Sequence, residues 1–224
     1  LVEIQDADGA WRKFTSLGIV HTYKVRTTWG LLRLHQAWQD QAYHDAAVRN
    51  LNWAMEDQDA DGWFRNAHFR PGEDSLTHTI AYTIEGLLES GVLLQDQQII
   101  DAARLAADAL RLRQNQDGFL RARYGPGWRS DLNWSCLTGD AQMAILWQRF
   151  YQLTGEPAYL QAAEMANTYV KQSQNRGASL PGVAGGIAGS QPIYGDYEPY
   201  RNLNWAAKFF ADSLILSIQL QKRP

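Results

Sequence analysis

Four glutamines fix how this chain can fold. Gln5, Gln58, Gln114 and Gln174 lie 53, 56 and 60 residues apart. The first three open closely related stretches: Gln5-Asp6-Ala7-Asp8-Gly9-Ala10-Trp11, Gln58-Asp59-Ala60-Asp61-Gly62-Trp63-Phe64 and Gln114-Asn115-Gln116-Asp117-Gly118-Phe119. An Asp-Gly pair behind a helical pattern ends a helix, because glycine enters the left-handed backbone region without a Cβ clash. The preceding segments align without a gap, from Asp45-Ala46-Ala47, Asp101-Ala102-Ala103 and Gln161-Ala162-Ala163 to the following glutamine. A period of this size suits one antiparallel helix pair and a loop, repeated.

Apolar positions at steps of three and four predict an inner helix from Gly18 to Trp38 and an outer one from Ala42 to Asp57. Further inner helices are expected over Leu76 to Leu94, Leu137 to Leu153 and Asn202 to Leu220, and outer ones over Gln97 to Gln114 and Pro157 to Gln174. Connections near 39–41, 95–96 and 154–156 are tight, whereas those at about 59–75, 115–136 and 175–201 are long. The long ones all lead into inner helices, so one face is expected to gather the loops and several positive helix N-termini, which favours an anion. The 224 residues, 45% of them hydrophobic, are enough for a single domain with a sizeable core.

A net charge of −3 with no basic stripe excludes nucleic-acid binding as a class. Cys136 is the only cysteine, so no internal disulfide forms and the compartment stays open between cytoplasm and periplasm. No apolar run approaches the ~20 residues of a membrane span, and the chain reads as soluble.

The three long loops hold Arg65, Arg70, Arg121, Arg123, Arg129, Arg176 and Arg201 and no lysine. The planar guanidinium binds carboxylates in a bidentate fork. Aromatic residues accompany them, and Tyr124, Trp128, Trp134, Tyr197 and Trp205 are candidate platforms for sugar rings, with burial beneath the loops as the structural alternative. On the Leu76–Leu94 helix, His78, Tyr82 and Glu85 follow one another on adjoining turns. A His/Tyr pair can remove and return a proton beside a carboxyl group that arginine neutralises. Asp140, in the first turn of the next inner helix, either stabilises that helix end or acts as a general acid with Glu85, Glu198 or Asp212 as second carboxyl. Lys208 is placed either to pair with Asp212 or to touch substrate.

No cofactor is expected. Asp57-x-Asp59-x-Asp61-Gly62 matches the opening of a calcium loop but has His68 where a glutamate is needed. Cys136, Asp140 and His78 are a conceivable zinc set on neighbouring helices.

The terminator Gln-x-x-Asp-Gly-x-Trp/Phe resembles the QW-type repeat of terpene-cyclase and protein-prenyltransferase toroids. The resemblance implies an all-α fold in which antiparallel helical hairpins form an (α/α)n toroid, complete or incomplete. The Asp-x-Asp-Asp and Asp-Asp-x-x-Asp motifs of the cyclases and the Asp-x-Cys spacing of the prenyltransferase zinc site are missing from the sequence. With His78 and Tyr82 among arginine-rich loops, the chain is more similar to polysaccharide lyases and the helical domains of glucuronyl C5-epimerases. That likeness implies an enzyme acting on an acidic, uronate-containing polysaccharide or oligosaccharide by C5 proton abstraction, with Arg70, Arg123 and Arg129 as the carboxylate clamp. The alternatives are a non-catalytic module binding a glycan or a protein, a glycoside hydrolase with paired carboxylates, and an isoprenoid pocket lined by Trp29, Trp147, Phe209 and Phe210. The hairpins number fewer than a closed toroid holds, so a further N-terminal segment or a second copy is expected to cover the apolar faces of the first and last inner helices.

Overall fold

The computed structural model describes residues 1–222. Among them are seven α-helices: α1 (Arg26–Trp38), α2 (Gln41–Glu56), α3 (Thr77–Leu94), α4 (Gln97–Arg111), α5 (Leu137–Thr154), α6 (Pro157–Gln172) and α7 (Asn204–Gln221). Four two-residue strands lie in the long loops: β1 (Ser75–Leu76), β2 (Arg123–Tyr124), β3 (Ser135–Cys136) and β4 (Ser190–Gln191). The chain divides into two compact units. The first holds Leu1–Ser75, Thr79–Ala109 and Gly125–Arg129, and the second holds Leu76–His78, Leu110–Tyr124 and Ser130–Pro224.

The repeated glutamine explains itself in hydrogen bonds. Gln5 Nε2 donates to Gly9 O (2.9 Å) and to Ala46 O (2.8 Å), and Gln58 Nε2 to Gly62 O (3.1 Å) and Ala102 O (2.9 Å). In the second unit Gln114 Nε2 donates to Gly118 O (3.4 Å) and Ala162 O (3.1 Å). One amide thus closes its own turn and fastens it to the second helix of the next hairpin. The aspartate before each glycine caps the turn, its Oδ1 accepting from the backbone of Ala10, Trp63 or Phe119. The glycines stand at φ near +90°, and a Cβ on Gly9 or Gly118 would lie 2.3 Å from Arg49 O or 2.2 Å from Met165 O. Only glycine satisfies both demands. The fourth turn departs from the pattern: Gln174 Nε2 reaches Gly185 O (2.7 Å) across a longer loop with no Asp-Gly pair.

In the first unit, the α1–α2 hairpin buries Leu31, Leu32, Ala46, Ala47, Leu51 and Ala54. Gly91 of α3 lets α4 approach so closely that a Cβ would meet Ile100 at 2.9 Å. The expected helix from Gly18 begins only at Arg26. Leu17 and Gly18 take positive φ (57° and 68°), and the segment after them is claimed by a loop, Thr22 N donating to Asn66 O (3.0 Å) and His21 Nδ1 bonding His68 O (2.9 Å). In the second unit, α5 and α6 close around Trp147, Phe150, Tyr159 and Val170, with the Phe150 and Tyr159 rings stacked at 5.3 Å. A buried polar web ties α5, α6 and α7: Gln148 Nε2 donates to Ser213 Oγ (2.9 Å), Ser213 Oγ to Asn167 Oδ1 (2.8 Å), and Ser217 Oγ to Gln148 Oε1 (3.0 Å). Among the described residues no helix is long and apolar enough to cross a membrane.

Candidate active site

The second unit gathers a polar cluster at the start of α5. Gly139 is the reason: a Cβ there would stand 2.7 Å from His78 N and 2.9 Å from Thr77 C, so only glycine lets this turn meet the first turn of α3. That approach places Gln142 beneath His78, with Nδ1 2.5 Å from Gln142 Oε1. With the carboxamide oxygen, which only accepts, toward the ring, the proton sits on Nδ1 and Nε2 is the basic nitrogen. His78 is 6% exposed.

The loop before α7 delivers the second member. Strands β3 and β4 pair antiparallel, Cys136 opposite Ser190. Ser190 Oγ donates to Tyr197 O (2.8 Å) and accepts from Tyr197 N (3.2 Å), fixing that residue's backbone. The Tyr197 ring then lies 5.9 Å from the imidazole, centroid to centroid, and Phe209 of α7 closes the other side at 6.4 Å. Tyr197 Oη accepts from Trp205 Nε1 (3.1 Å). Burial, followed by the charge a Cys136 thiolate would carry, pushes the Tyr197 pKa well up, and the Trp205 bond opposes it. Such a phenol holds its proton and serves as a donor rather than a base.

Asp140 lies in the same first turn of α5. Two residues from both Thr138 and Gln142, it is turned by about 200° around the helix from each. Its fully buried carboxyl influences Tyr124, Cys136 and Tyr169, and neither oxygen has a hydrogen-bond partner. Burial raises its pKa well above 3.8. The Ser135 hydroxyl, outside bonding geometry, works weakly in the other direction. Desolvation likewise pushes the Cys136 thiol up to about 12.

His78 and Tyr82, paired on spacing, fall in different units, His78 in the second and Tyr82 in the first. Tyr82 belongs to the first unit, where the Arg26 guanidinium sits 4.6 Å from its ring centroid and Arg26 Nε donates to Glu85 Oε2 at 2.5 Å. Glu85 is thereby held in an ion pair. Of the three clamp arginines, Arg70 is an exposed partner of Glu73 (3.6 Å), Arg129 Nε donates to Pro126 O (2.9 Å), and Arg123 pairs with Asp196 (3.4 Å) in the second unit. Arg123 is the most enclosed of them, its side chain 14% exposed.

The aromatic candidates divide. Tyr124 is buried and its oxygen accepts from Arg121 N (3.2 Å), Trp128 is buried with Nε1 donating to Asp61 O (2.9 Å), and Trp134 packs where a Cβ on Gly195 would meet it at 2.8 Å. These three serve the loops. Trp205 and Tyr197 keep partly exposed rings. Lys208 Nζ pairs with Asp212 (2.7 Å) and lies 4.3 Å from the Phe209 ring centroid. Of the rings proposed for an isoprenoid pocket, Trp147, Phe209 and Phe210 are buried in the second unit's core.

The metal candidates are otherwise engaged. Asp57 accepts from the Thr22 hydroxyl and from Asn66 N (2.9 Å), Asp59 pairs with Arg65 (3.1 Å), and Asp61 caps its turn. Among the described residues no group of three or more His, Cys, Asp or Glu side chains is placed to hold a metal ion, the Cys136, Asp140 and His78 set included.

Gln142 and Thr138 were not assigned a role by sequence reasoning. The available signal was Gly139, since a glycine inside a helical pattern marks a close backbone approach, here to the turn that carries His78.

No protein-family model and no curated protein matches the chain. Solved structures do. The unsaturated glucuronyl hydrolase of Bacillus sp. GL1, responsible for degradation of glycosaminoglycan, superposes with a TM-score of 0.75 at 15% identity, over 99% of this chain and 66% of its own. The α-1,6-mannanase of Salegentibacter sp. HEL1_6 gives 0.71 at 14% identity, over 99% and 62%. A polysaccharide lyase gives 0.66 at 15%, over 91% and 63%. The chain therefore spans just under two thirds of the length of these neighbours. At such identities the likeness shows the fold: an all-α chain of antiparallel helical hairpins, of the α/α-toroid class.

Proposed function

We propose that the chain is the helical part of a carbohydrate-active enzyme that abstracts the C5 proton of a uronate in an acidic saccharide, with His78 Nε2 as base and the Tyr197 hydroxyl as proton donor. What supports this reading is the buried His78, its Nδ1 2.5 Å from Gln142 Oε1, beside a tyrosine whose ring centroid lies 5.9 Å from that of the imidazole. The two differ in basicity in the sense that divides labour between a base and an acid. Arg123, in the same unit and paired with the exposed Asp196, supplies a cation for the sugar carboxylate, which must be neutralised before the neighbouring C–H becomes acidic. Trp205 and Tyr197 offer faces on which a pyranose can stack.

The fold is one in which a glucuronyl hydrolase and a polysaccharide lyase are both found. Fold alone does not select a reaction. The residues favour proton abstraction over hydrolysis by paired carboxylates, because the partners Asp140 would need are held in ion pairs, Glu85 by Arg26 and Asp212 by Lys208. A panel of uronate-containing glycans, followed by absorbance in the ultraviolet and by reducing-end release, tests this. New absorbance supports elimination. Reducing ends released from saturated chains without new absorbance would identify a hydrolase and overturn the proposal.

A further inference from the structure

The loop that delivers Tyr197 also carries large side chains that the core does not use. Ile193, Tyr194, Tyr200 and Trp205 all stand in solvent, with Tyr194 65% and Tyr200 73% exposed. The loop is not slack. Gly195 N donates to Pro192 O (2.9 Å), Tyr200 N to Ile193 O (2.8 Å), Gly189 N to Arg201 O (3.0 Å) and Leu203 N to Ile187 O (2.8 Å). Glu198 and Tyr200 take φ of 50° and 60°, a region that costs energy for a residue with a Cβ and most for a bulky one. The fold thus tolerates backbone strain to hold an aromatic ring in water, where the ring gains nothing by burial.

The chemistry of the patch narrows what it can hold. Its charges are matched locally, Asp196 with Arg123 (3.4 Å) and Glu198 with Arg201 (2.6 Å), so it presents ring faces and phenol hydroxyls rather than a net charge. At ~200 Å² per aromatic side chain, the three rings expose roughly 350 Å², less than half of the ~800 Å² that each partner of a stable protein interface buries. A pyranose is smaller: its C–H face lies on a single ring, and its rim of hydroxyls can bond the phenols. The Tyr200–Ile193 bond closes the loop around Tyr197, whose Oη accepts from Trp205 Nε1 (3.1 Å), so the patch adjoins the candidate site.

We propose that Tyr194 and Tyr200 form a stacking lip for sugar residues beyond the one at His78. This rests on the reading of His78 and Tyr197 as the reacting pair, and it adds that the substrate is a chain of several sugars rather than a monosaccharide or disaccharide.

Calorimetric binding and kcat/KM on a disaccharide and a hexasaccharide of alternating glucuronate and N-acetylhexosamine test this, in the wild type, Tyr194→Ala, Tyr200→Ala and the double variant. The wild type should prefer the hexasaccharide, and each single variant should weaken its binding about fivefold to tenfold, the loss expected on truncating a contact aromatic. The double variant should bind both lengths alike. Tyr194→Phe and Tyr200→Phe keep the ring and should keep most of the preference. Tyr200→Gly, which suits a φ of 60°, should lose it as Tyr200→Ala does, without a folding defect. A wild type that binds the two lengths alike or binds neither overturns the proposal, as does a hexasaccharide preference that survives the double variant. A concentration-dependent dimer in light scattering that the double variant abolishes also overturns it, by making the patch a contact between copies. If the hexasaccharide binds through the lip yet no C5 chemistry follows, the reading of His78 fails and the lip stands.

Discussion

His78 and Tyr82 occupy consecutive turns of one helix, yet their side chains meet different partners, Gln142 and Tyr197 for the first, Arg26 for the second. The account therefore makes opposite predictions for them. His78→Ala and Tyr197→Phe should each lower kcat by about 10²–10⁴-fold, the range of a general acid or base, with substrate binding retained. Tyr82→Phe should change kcat by less than about threefold, since the ring that carries Arg26 is preserved. Asp140 yields a prediction of stability. Its pKa in the folded chain is raised, so the fold keeps a proton that the unfolded chain releases near 3.8. The sign follows: stability is greatest below that value and declines as pH rises toward the folded-state pKa. Asp140→Asn removes the decline. At neutral pH it should melt at least ~2–4 °C higher, the shift expected for ~1 kcal/mol in a chain of this size, with the gap closing near pH 4, and activity should persist. A thermal scan at both pH values checks this, and loss of turnover in Asp140→Asn would place the residue back in the chemistry.

Among elements, the terminators were legible because each demand shows in the residue type: a glutamine long enough to reach two carbonyls, an aspartate to cap, a glycine at positive φ. Gln58→Leu removes two hydrogen bonds and leaves Gly62 O and Ala102 O short of a donor, which should cost about 1–3 kcal/mol in chemical denaturation. Gly118→Ala forces a Cβ to within 2.2 Å of Met165 O and should cost more than Gln58→Leu. The start of α1 was not legible, because Tyr23, Thr27 and Leu31 keep the helical rhythm while the chain before Arg26 spends its backbone groups on the 66–68 loop. Periodicity records which side chains are apolar, not which loop competes for the peptide groups. The same limit applies to Asp140, whose place in the first turn was readable while the side of α5 that meets His78 was not. Gly139→Ala addresses that side directly: pushing the Thr77–His78 turn off α5 should lower kcat by at least tenfold while circular dichroism shows the helices intact.

For the molecule as a whole, the hairpin period specified the fold class, and the site needed three dimensions because its members come from α3, α5, a loop beyond β4 and α7, none of them neighbours in sequence. The loop arginines were readable as a group, but most are engaged with local carboxylates or backbone, and Arg123, 14% exposed, lies within the unit that holds His78. The central claim is a proton taken from carbon by His78 beside Tyr197. It is tested most directly by incubating a uronate oligosaccharide in deuterium oxide with the wild type and with His78→Ala, and reading the C5 position by mass spectrometry and proton NMR. The account predicts either a C4–C5 double bond or deuterium at C5 in the wild type, and neither in the variant. A wild type that alters the oligosaccharide while the C5 hydrogen stays untouched, or a His78→Ala variant as active as the wild type, would contradict it.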